Sequence, residues 1–184
     1  MLLATVVSNK EAREDIDFLP LSVEYQEKYA ATGRFPGGFF KREAKPSEKE
    51  VLTSRLTDRP IRPLFPKDFR NETQIIITAL SSDSANPAGS LAGIGASAAL
   101  SVSDIPWEGP IATVSVGMIN NKFIIFPTIE EMEESKIDLI VSGNEESIVM
   151  VEGETKIITE QQLIDALKFA HESIVQIIEL QKEM

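Results

Sequence analysis

GRFPGGFFKREAKPSEKEVLTSRLTDRPIRPLFP, running from Gly33 to Pro66, carries more structural information than any other part of the chain. It joins a glycine-proline turn, an aromatic pair, a basic pair, an amphipathic helix and an arginine-proline tail. Its charge is also unusual. From Arg34 to Arg70 ten Lys/Arg stand against five Asp/Glu, while the remaining positions hold eight against 24. A chain of net charge −11 has thus gathered its positive charge into one segment. That asymmetry points to a surface that meets an anion.

Outside this segment the composition is that of an ordinary folded protein. The 184 residues are 42% hydrophobic and 26% charged, enough for one domain with a sizeable core. No window approaches the roughly 18–20 continuous apolar residues of a membrane span. The opening MLLATVVSNKEARED lacks a basic n-region and a small-residue cleavage site, so a secretory signal is not expected. There is no cysteine, which excludes disulfides and cysteine zinc sites and fits a reducing compartment. The overall negative charge would repel a polyanion, so any nucleic-acid contact has to be local.

Working outward, Pro46-Ser47-Glu48 reads as a helix start, with Ser47 as N-cap and Glu50 completing a capping box. Val51, Leu52 and Leu56 supply an apolar stripe. Pro60, Pro63 and Pro66 are expected to end the helix. Upstream, Leu2–Val7 and Phe18–Tyr25 read as strands, with Pro20 placing the second at an edge or bulge. The first opens with nothing ahead of it to cap or turn, which predicts missing upstream residues and a strand gap beside Leu2–Val7. Downstream, Thr73–Leu80 is a nearly continuous apolar strand, expected to be central and buried on both faces. It should lie against helices at Ala88–Ser101 and Glu160–Gln181. Ile111–Ile119 and Lys122–Phe126 form a hairpin about Asn120-Asn121. A short acidic helix, Ile129–Glu134, and strands Lys136–Ser142 and Ser147–Glu152 follow. Thr159 caps a last helix with Leu163, Ile164, Leu167, Ala170, Ile174, Ile177 and Ile178 on one face. The order is α+β, with a mixed sheet and helices packed on it.

Several residues invite a functional reading beside a structural one. Phe39-Phe40-Lys41-Arg42 follows two glycines; the rings either stack on bases of single-stranded nucleic acid or fold back into the core. Arg55, Arg59 and Arg62 either clamp phosphates or pair with Glu43, Glu50 and Asp58. Gly93-Ile94-Gly95-Ala96-Ser97-Ala98 imitates a dinucleotide fingerprint, but the glycines lie inside a helical run, where helix–sheet packing explains them. His171 reads as a packed or interface residue. Glu130, Glu131, Glu133 and Glu134 read as a solvated helix face, and no metal site is expected. Asp138, between Ile137 and Leu139, either points away from the core or has a chemical role.

The FFKR loop followed by PSEKEVLTSRLTDRPIRPLFP resembles the first ribonuclease PH-like core domain of the bacterial polynucleotide phosphorylases (polyribonucleotide nucleotidyltransferases). The similarity extends through LLATVV, FLPLSVEYQEKYAATGRFPGGFFKRE, ETQIIITALSS, IGASAALSVSDIPWEGPI and ESKIDLIVSG, and so covers essentially residues 1–184. The resemblance implies a ribosomal-protein-S5-like fold and a cytoplasmic homotrimeric ring with two such cores per subunit. The last helix would lead towards the helical region between the cores. It also implies 3′-to-5′ phosphorolysis of single-stranded RNA, part of mRNA turnover, with inorganic phosphate and Mg²⁺ releasing nucleoside diphosphates. No membrane association is implied. Phe39, Phe40 and Arg42 match the loop that grips RNA in the channel, with Lys41 where arginine is usual.

The chain departs from the active core of that family at three places. Glu48-Lys49 stands where paired arginines are expected, and Pro87-Ala88-Gly89 where a serine cluster holds phosphate. Asp138 fits a catalytic aspartate, but Ile140 takes the lysine position. Without those charges and hydroxyls, phosphoryl transfer lacks compensation for its developing charge. The expectation is a catalytically degenerate half that forms the RNA channel, with no tightly held Mg²⁺ or phosphate. The rival is a domain that binds or converts a small nucleotide in a remnant phosphate site. A third reading is a purely structural spacer.

Overall fold

The structure, a computed structural model, describes residues 1–35, 37 and 45–183. The strands divide between two sheets. β1 (Leu2–Ser8), β2 (Leu21–Glu27) and β3 (Thr73–Ala79) form a sheet of order β1-β3-β2. β4 (Ala112–Ile119), β5 (Lys122–Ile125), β6 (Ile137–Gly143) and β7 (Ile148–Thr155) form an antiparallel sheet of order β5-β4-β6-β7. α1 (Glu48–Ile61) and α2 (Ala92–Ser101) lie between the sheets, and α4 (Glu160–Lys182) covers the far face of the second. α3 (Ile129–Glu134) is the short acidic turn. The first sheet is mixed: β1 runs antiparallel to β3, whereas β2 runs parallel to it. A parallel neighbour needs a long crossover, and the segment containing α1 supplies it.

β3 is central, as its composition predicts, but it is not the strand buried on both faces. Thr73, Ile75, Ile77 and Ala79 are buried against α1 and α2, while Gln74, Ile76 and Thr78 lie on an open outer face. α4 packs on the other sheet. The doubly covered strand is β4, whose Val114, Val116 and Met118 meet α4 while Thr113 and Gly117 are covered from the opposite side. β4 is the strand next to both helical layers.

The capping boxes at Ser47, Thr128 and Thr159 all form. At Asn120-Asn121 both residues have positive φ, 51° and 60°, as a tight hairpin requires. Pro60 does not end α1. It lies inside the helix near its end, where the lost N–H removes one bond, and its ring is buried. Val51 and Leu52 do not form the inner stripe of α1 either; both are exposed. Its last turn buries Thr57, Pro60 and Ile61, and upstream of them the helix docks on β2 through polar groups. The Tyr25 N–H donates to Ser54 Oγ (2.9 Å), and the Glu27 N–H donates to Glu50 Oε1 (2.7 Å). An edge strand needs such partners for its backbone, and an apolar stripe has none to give. On α4 the buried positions are Ala166, Ala170, Ile174, Ile178 and Gln181, while Ile164 faces outward.

Gly93 and Gly95 behave as packing residues. A Cβ on Gly93 would overlap the Thr113 side chain, and one on Gly95 would lie 2.7 Å from Leu2 Cδ2. Among the described residues no helix is long and apolar enough to cross a membrane.

Candidate functional site

Arg55 and Arg59 lie one turn apart on the exposed side of α1, and Arg62 stands in the turn that follows. All three line one groove of about 790 Å³ between α1 and β2, with Ser22, Val23 and Glu152. Their partners differ. Arg62 forks onto Asp58 at 2.8 and 3.1 Å and donates to the carbonyls of Leu19 and Leu21, both at 3.0 Å. Arg59 pairs with Glu152 of β7 at 2.5 Å. The Arg55 guanidinium makes no hydrogen bond or ion pair with another described residue. Of the expected acidic partners Asp58 is engaged, while Glu50 is committed elsewhere. Burial pushes the Glu50 carboxyl up, but the backbone N–H groups of Ser47 and Glu27 and the Ser47 hydroxyl outweigh it and hold it below its usual range.

A second cleft, about 200 Å³, opens between α1, the turn before α2 and the face of β4 and β6 away from α4. It collects residues far apart in sequence: Lys49 and Thr53 from α1, Pro87, Gly89 and Ser90 from the turn, Thr113 and Ser115 from β4, and Ile140 from β6. Each of the three departures singled out in the sequence therefore contributes to one wall of one cavity. Leu52, Leu56, Pro87 and Ile140 make it largely apolar. The single cation, Lys49, has its ammonium 3.2 Å from Glu27. Thr113 Oγ1 lies 2.7 Å from Ser142 Oγ. Ser115 Oγ, in the same lining, is buried without a hydrogen-bond partner among the described residues.

Asp138 is two residues from Ile140 on β6, yet it lines a different cavity with Lys136, Glu154 and Lys156. Burial pushes its carboxyl above the usual range, and the cross-strand Glu154 adds to the rise. The cleft offers no carboxylate, and among the described residues no three His, Cys, Asp or Glu gather as ligands. His171 Nε2 lies 3.1 Å from the Asn144 carbonyl, tying α4 to the β6–β7 turn. Glu131 is used in the α3 cap, and Glu130, Glu133 and Glu134 are exposed. Phe39, Phe40, Lys41 and Arg42 lie outside the described residues.

Three features escaped the sequence. Arg62 reaches backbone carbonyls, for which no motif exists. Ser115 shares the cleft-lining face of β4 with Thr113, a pairing that the alternation of the strand could have revealed. Gln181 occupies the buried phase of α4, where a polar residue needs a partner. It accepts from Ser97 Oγ (2.8 Å) and donates to the Ile111 carbonyl (2.9 Å), while the Ile111 N–H donates back to Ser97 Oγ (3.0 Å).

Domain 1 of the 3′ exoribonuclease family matches residues 1–106, which hold the first sheet with α1 and α2. Domain 2 of the same family matches residues 109–173, which hold the second sheet and most of α4. The chain belongs to the 3′ exoribonuclease family. Among curated relatives, the polyribonucleotide nucleotidyltransferase of Thermus thermophilus is 53% identical over all 184 residues of this chain and 26% of its own length. The proteins of that name from Chlorobaculum parvum and Fervidobacterium nodosum are 54% and 51% identical, again over the whole chain and 25% and 27% of theirs. The chain thus spans about a quarter of the length of these relatives.

Proposed function

We propose that this chain is the first ribonuclease PH-like core domain of a polyribonucleotide nucleotidyltransferase, and that it shapes the RNA channel while leaving the chemistry to a second core. The whole enzyme would be a cytoplasmic trimeric ring that degrades single-stranded RNA from the 3′ end, using inorganic phosphate and Mg²⁺. The observation that carries the degenerate role is the composition of the 200 Å³ cleft. Lys49, Pro87, Gly89 and Ile140 meet where phosphate ligands and a catalytic lysine are expected. One ammonium already facing a carboxylate cannot compensate the charge that develops on a phosphodiester under attack by phosphate. The positive groove of α1, with Arg55 uncommitted among the described residues, supports RNA binding on the same domain.

The unpartnered Ser115 hydroxyl favours one other reading, a small nucleotide held in the cleft. The apolar walls and the Lys49–Glu27 pair weigh against a phosphate there. One experiment addresses both: incubate the pure 184-residue chain with an RNA homopolymer, phosphate and Mg²⁺, and in parallel with single nucleotides. We expect no nucleoside diphosphate and no nucleotide turnover. Multiple turnover of RNA would overturn the degenerate role, and turnover of a nucleotide alone would establish the rival.

A further inference from the structure

The arginine groove and the cleft of about 200 Å³ are neighbours on α1. Successive residues turn by roughly 100° around a helix, which sets Arg55 and Arg59 on one side of Leu52 and Leu56, and Lys49 and Thr53 on the other. Leu52 and Leu56 line both cavities, so they form a ridge with the cationic groove on one flank and the cleft on the other. Leu52 is 55% exposed on that ridge. The cleft itself is walled by α1, the Pro87–Ser90 turn with the start of α2, β4 and β6, all from the interior of the chain. The chemistry of the two flanks differs. The groove holds the uncommitted guanidinium of Arg55. In the cleft the Lys49 ammonium faces Glu27, and the rest of the lining is apolar side chains, glycines and hydroxyls. The Thr53 and Ser90 hydroxyls make no hydrogen bond with another described residue, and Ser115 Oγ is buried without one.

We propose that the cleft receives one base of the single-stranded RNA whose phosphates lie in the α1 groove, which rests on the reading of that groove as an RNA surface. A phosphate entering the cleft would exchange water for apolar walls without a free positive charge, whereas an uncharged ring loses little. A hydroxyl both donates and accepts, and it rotates to suit, so Thr53 and Ser90 can meet the mixed donor and acceptor edge of any base. The cleft therefore takes a base without reading its identity. Its volume of about 200 Å³ admits one heterocyclic base, with the sugar left on the ridge and the phosphates in the groove. The sugar crossing the ridge then covers the exposed Leu52. The two contacts reinforce each other, because a phosphate held by Arg55 makes entry of the adjacent base an intramolecular step.

Ile140 lines the cleft, and its methyl group gives a local readout. The test uses the full-length enzyme containing this domain, with isoleucine methyls labelled for NMR and phosphate left out. Oligoadenylate should shift the Ile140 methyl signal, assigned with Ile140→Val, through the ring current of the bound base. Adenosine should produce the shift only at about tenfold higher concentration or more, because it lacks the phosphates that Arg55 holds. Inorganic phosphate alone should produce none. Thr53→Val with Ser90→Ala removes hydroxyls that have no partner among the described residues, so it should leave the melting temperature unchanged and weaken RNA binding about threefold or more. Ile140→Phe fills the cleft and should weaken binding about fivefold or more with an unchanged salt slope, because a base releases no counterions. An Ile140 signal that stays still with oligoadenylate would overturn the proposal. Adenosine binding as tightly as the RNA, or a shift caused by phosphate, would do the same. The groove reading fails separately, if Arg55→Ala leaves the salt slope unchanged.

Discussion

At Asp138 the alternation of β6 sends Ile137 and Leu139 into the α4 core and leaves the carboxylate on the opposite face. There, burial and the neighbouring Glu154 favour its protonated form. A carboxyl whose folded pKa is raised binds more protons folded than unfolded, so its contribution to stability is complete below the unfolded value near about 3.9 and is lost as pH rises. At neutral pH the ionised Asp138 is therefore a small burden, limited by its partial exposure. Asp138→Asn should raise the melting temperature at pH 7, with the gain shrinking as pH falls towards 4. A series of thermal melts checks this. A lower midpoint at pH 7 would mean that Lys136 or Lys156 stabilises the carboxylate. From the sequence, the flanking isoleucine and leucine leave Asp138 open between an outward residue and one with chemistry, because alternation gives the face and not the neighbours. The same limit applies to Ser115, whose face on β4 is readable but whose cavity is built from α1 and the Pro87–Ser90 turn.

The elements themselves are largely legible in the sequence, because caps, turn dipeptides and β-branched runs act locally. Ser47 with Glu50 and Asn120-Asn121 need nothing beyond their neighbours. What could not be read is how α1 docks, since it meets β2 through Glu50 and Ser54, with Arg62 just past its end, and buries Thr57, Pro60 and Ile61 rather than Val51 and Leu52. Apolar periodicity finds a core face only where the contact is apolar, and an edge strand presents N–H and C=O groups. Arg62 holds this junction by donating to Leu19 and Leu21 while Asp58 fixes its plane. Arg62→Ala should destabilise the chain by about 1 kcal/mol, since bonds from a charged donor disappear and the Leu21 carbonyl loses its donor, while Leu19 keeps the Leu21 N–H. Arg62→Lys should recover less than half, because one ammonium cannot serve two carbonyls and a carboxylate with a planar fork. Urea unfolding measures both. A loss below about 0.5 kcal/mol for the alanine variant, the level of an ordinary surface change, would show that Ser54 and Glu50 suffice.

Across the whole molecule, charge sets where RNA would lie on the proposed reading. A chain of −11 repels a polyanion except along the segment containing Phe39, Phe40, Lys41, Arg42 and the α1 arginines. Within the described part of that segment Arg59 and Arg62 are already paired, leaving Arg55 as the uncommitted guanidinium of the groove. In the full-length enzyme containing this domain, removing a cation that neutralises one phosphate should reduce the salt slope of single-stranded RNA binding by about 0.7. Arg55→Ala, and Lys41→Ala with Arg42→Ala, should each weaken binding across all sequences, most strongly at low salt. Phe39→Ala with Phe40→Ala should weaken binding by roughly 1–3 kcal/mol per unstacked base with little change in slope, because stacking releases no counterions. Of the cation substitutions, Arg59→Ala should change the slope least, because this guanidinium is already paired with Glu152. Titrations at several salt concentrations separate these outcomes. Unchanged affinity and processivity in the Phe39/Phe40 and Lys41/Arg42 variants would make the loop structural and remove the channel from the proposed function. An Arg55 variant with a wild-type slope would confine RNA binding to that loop.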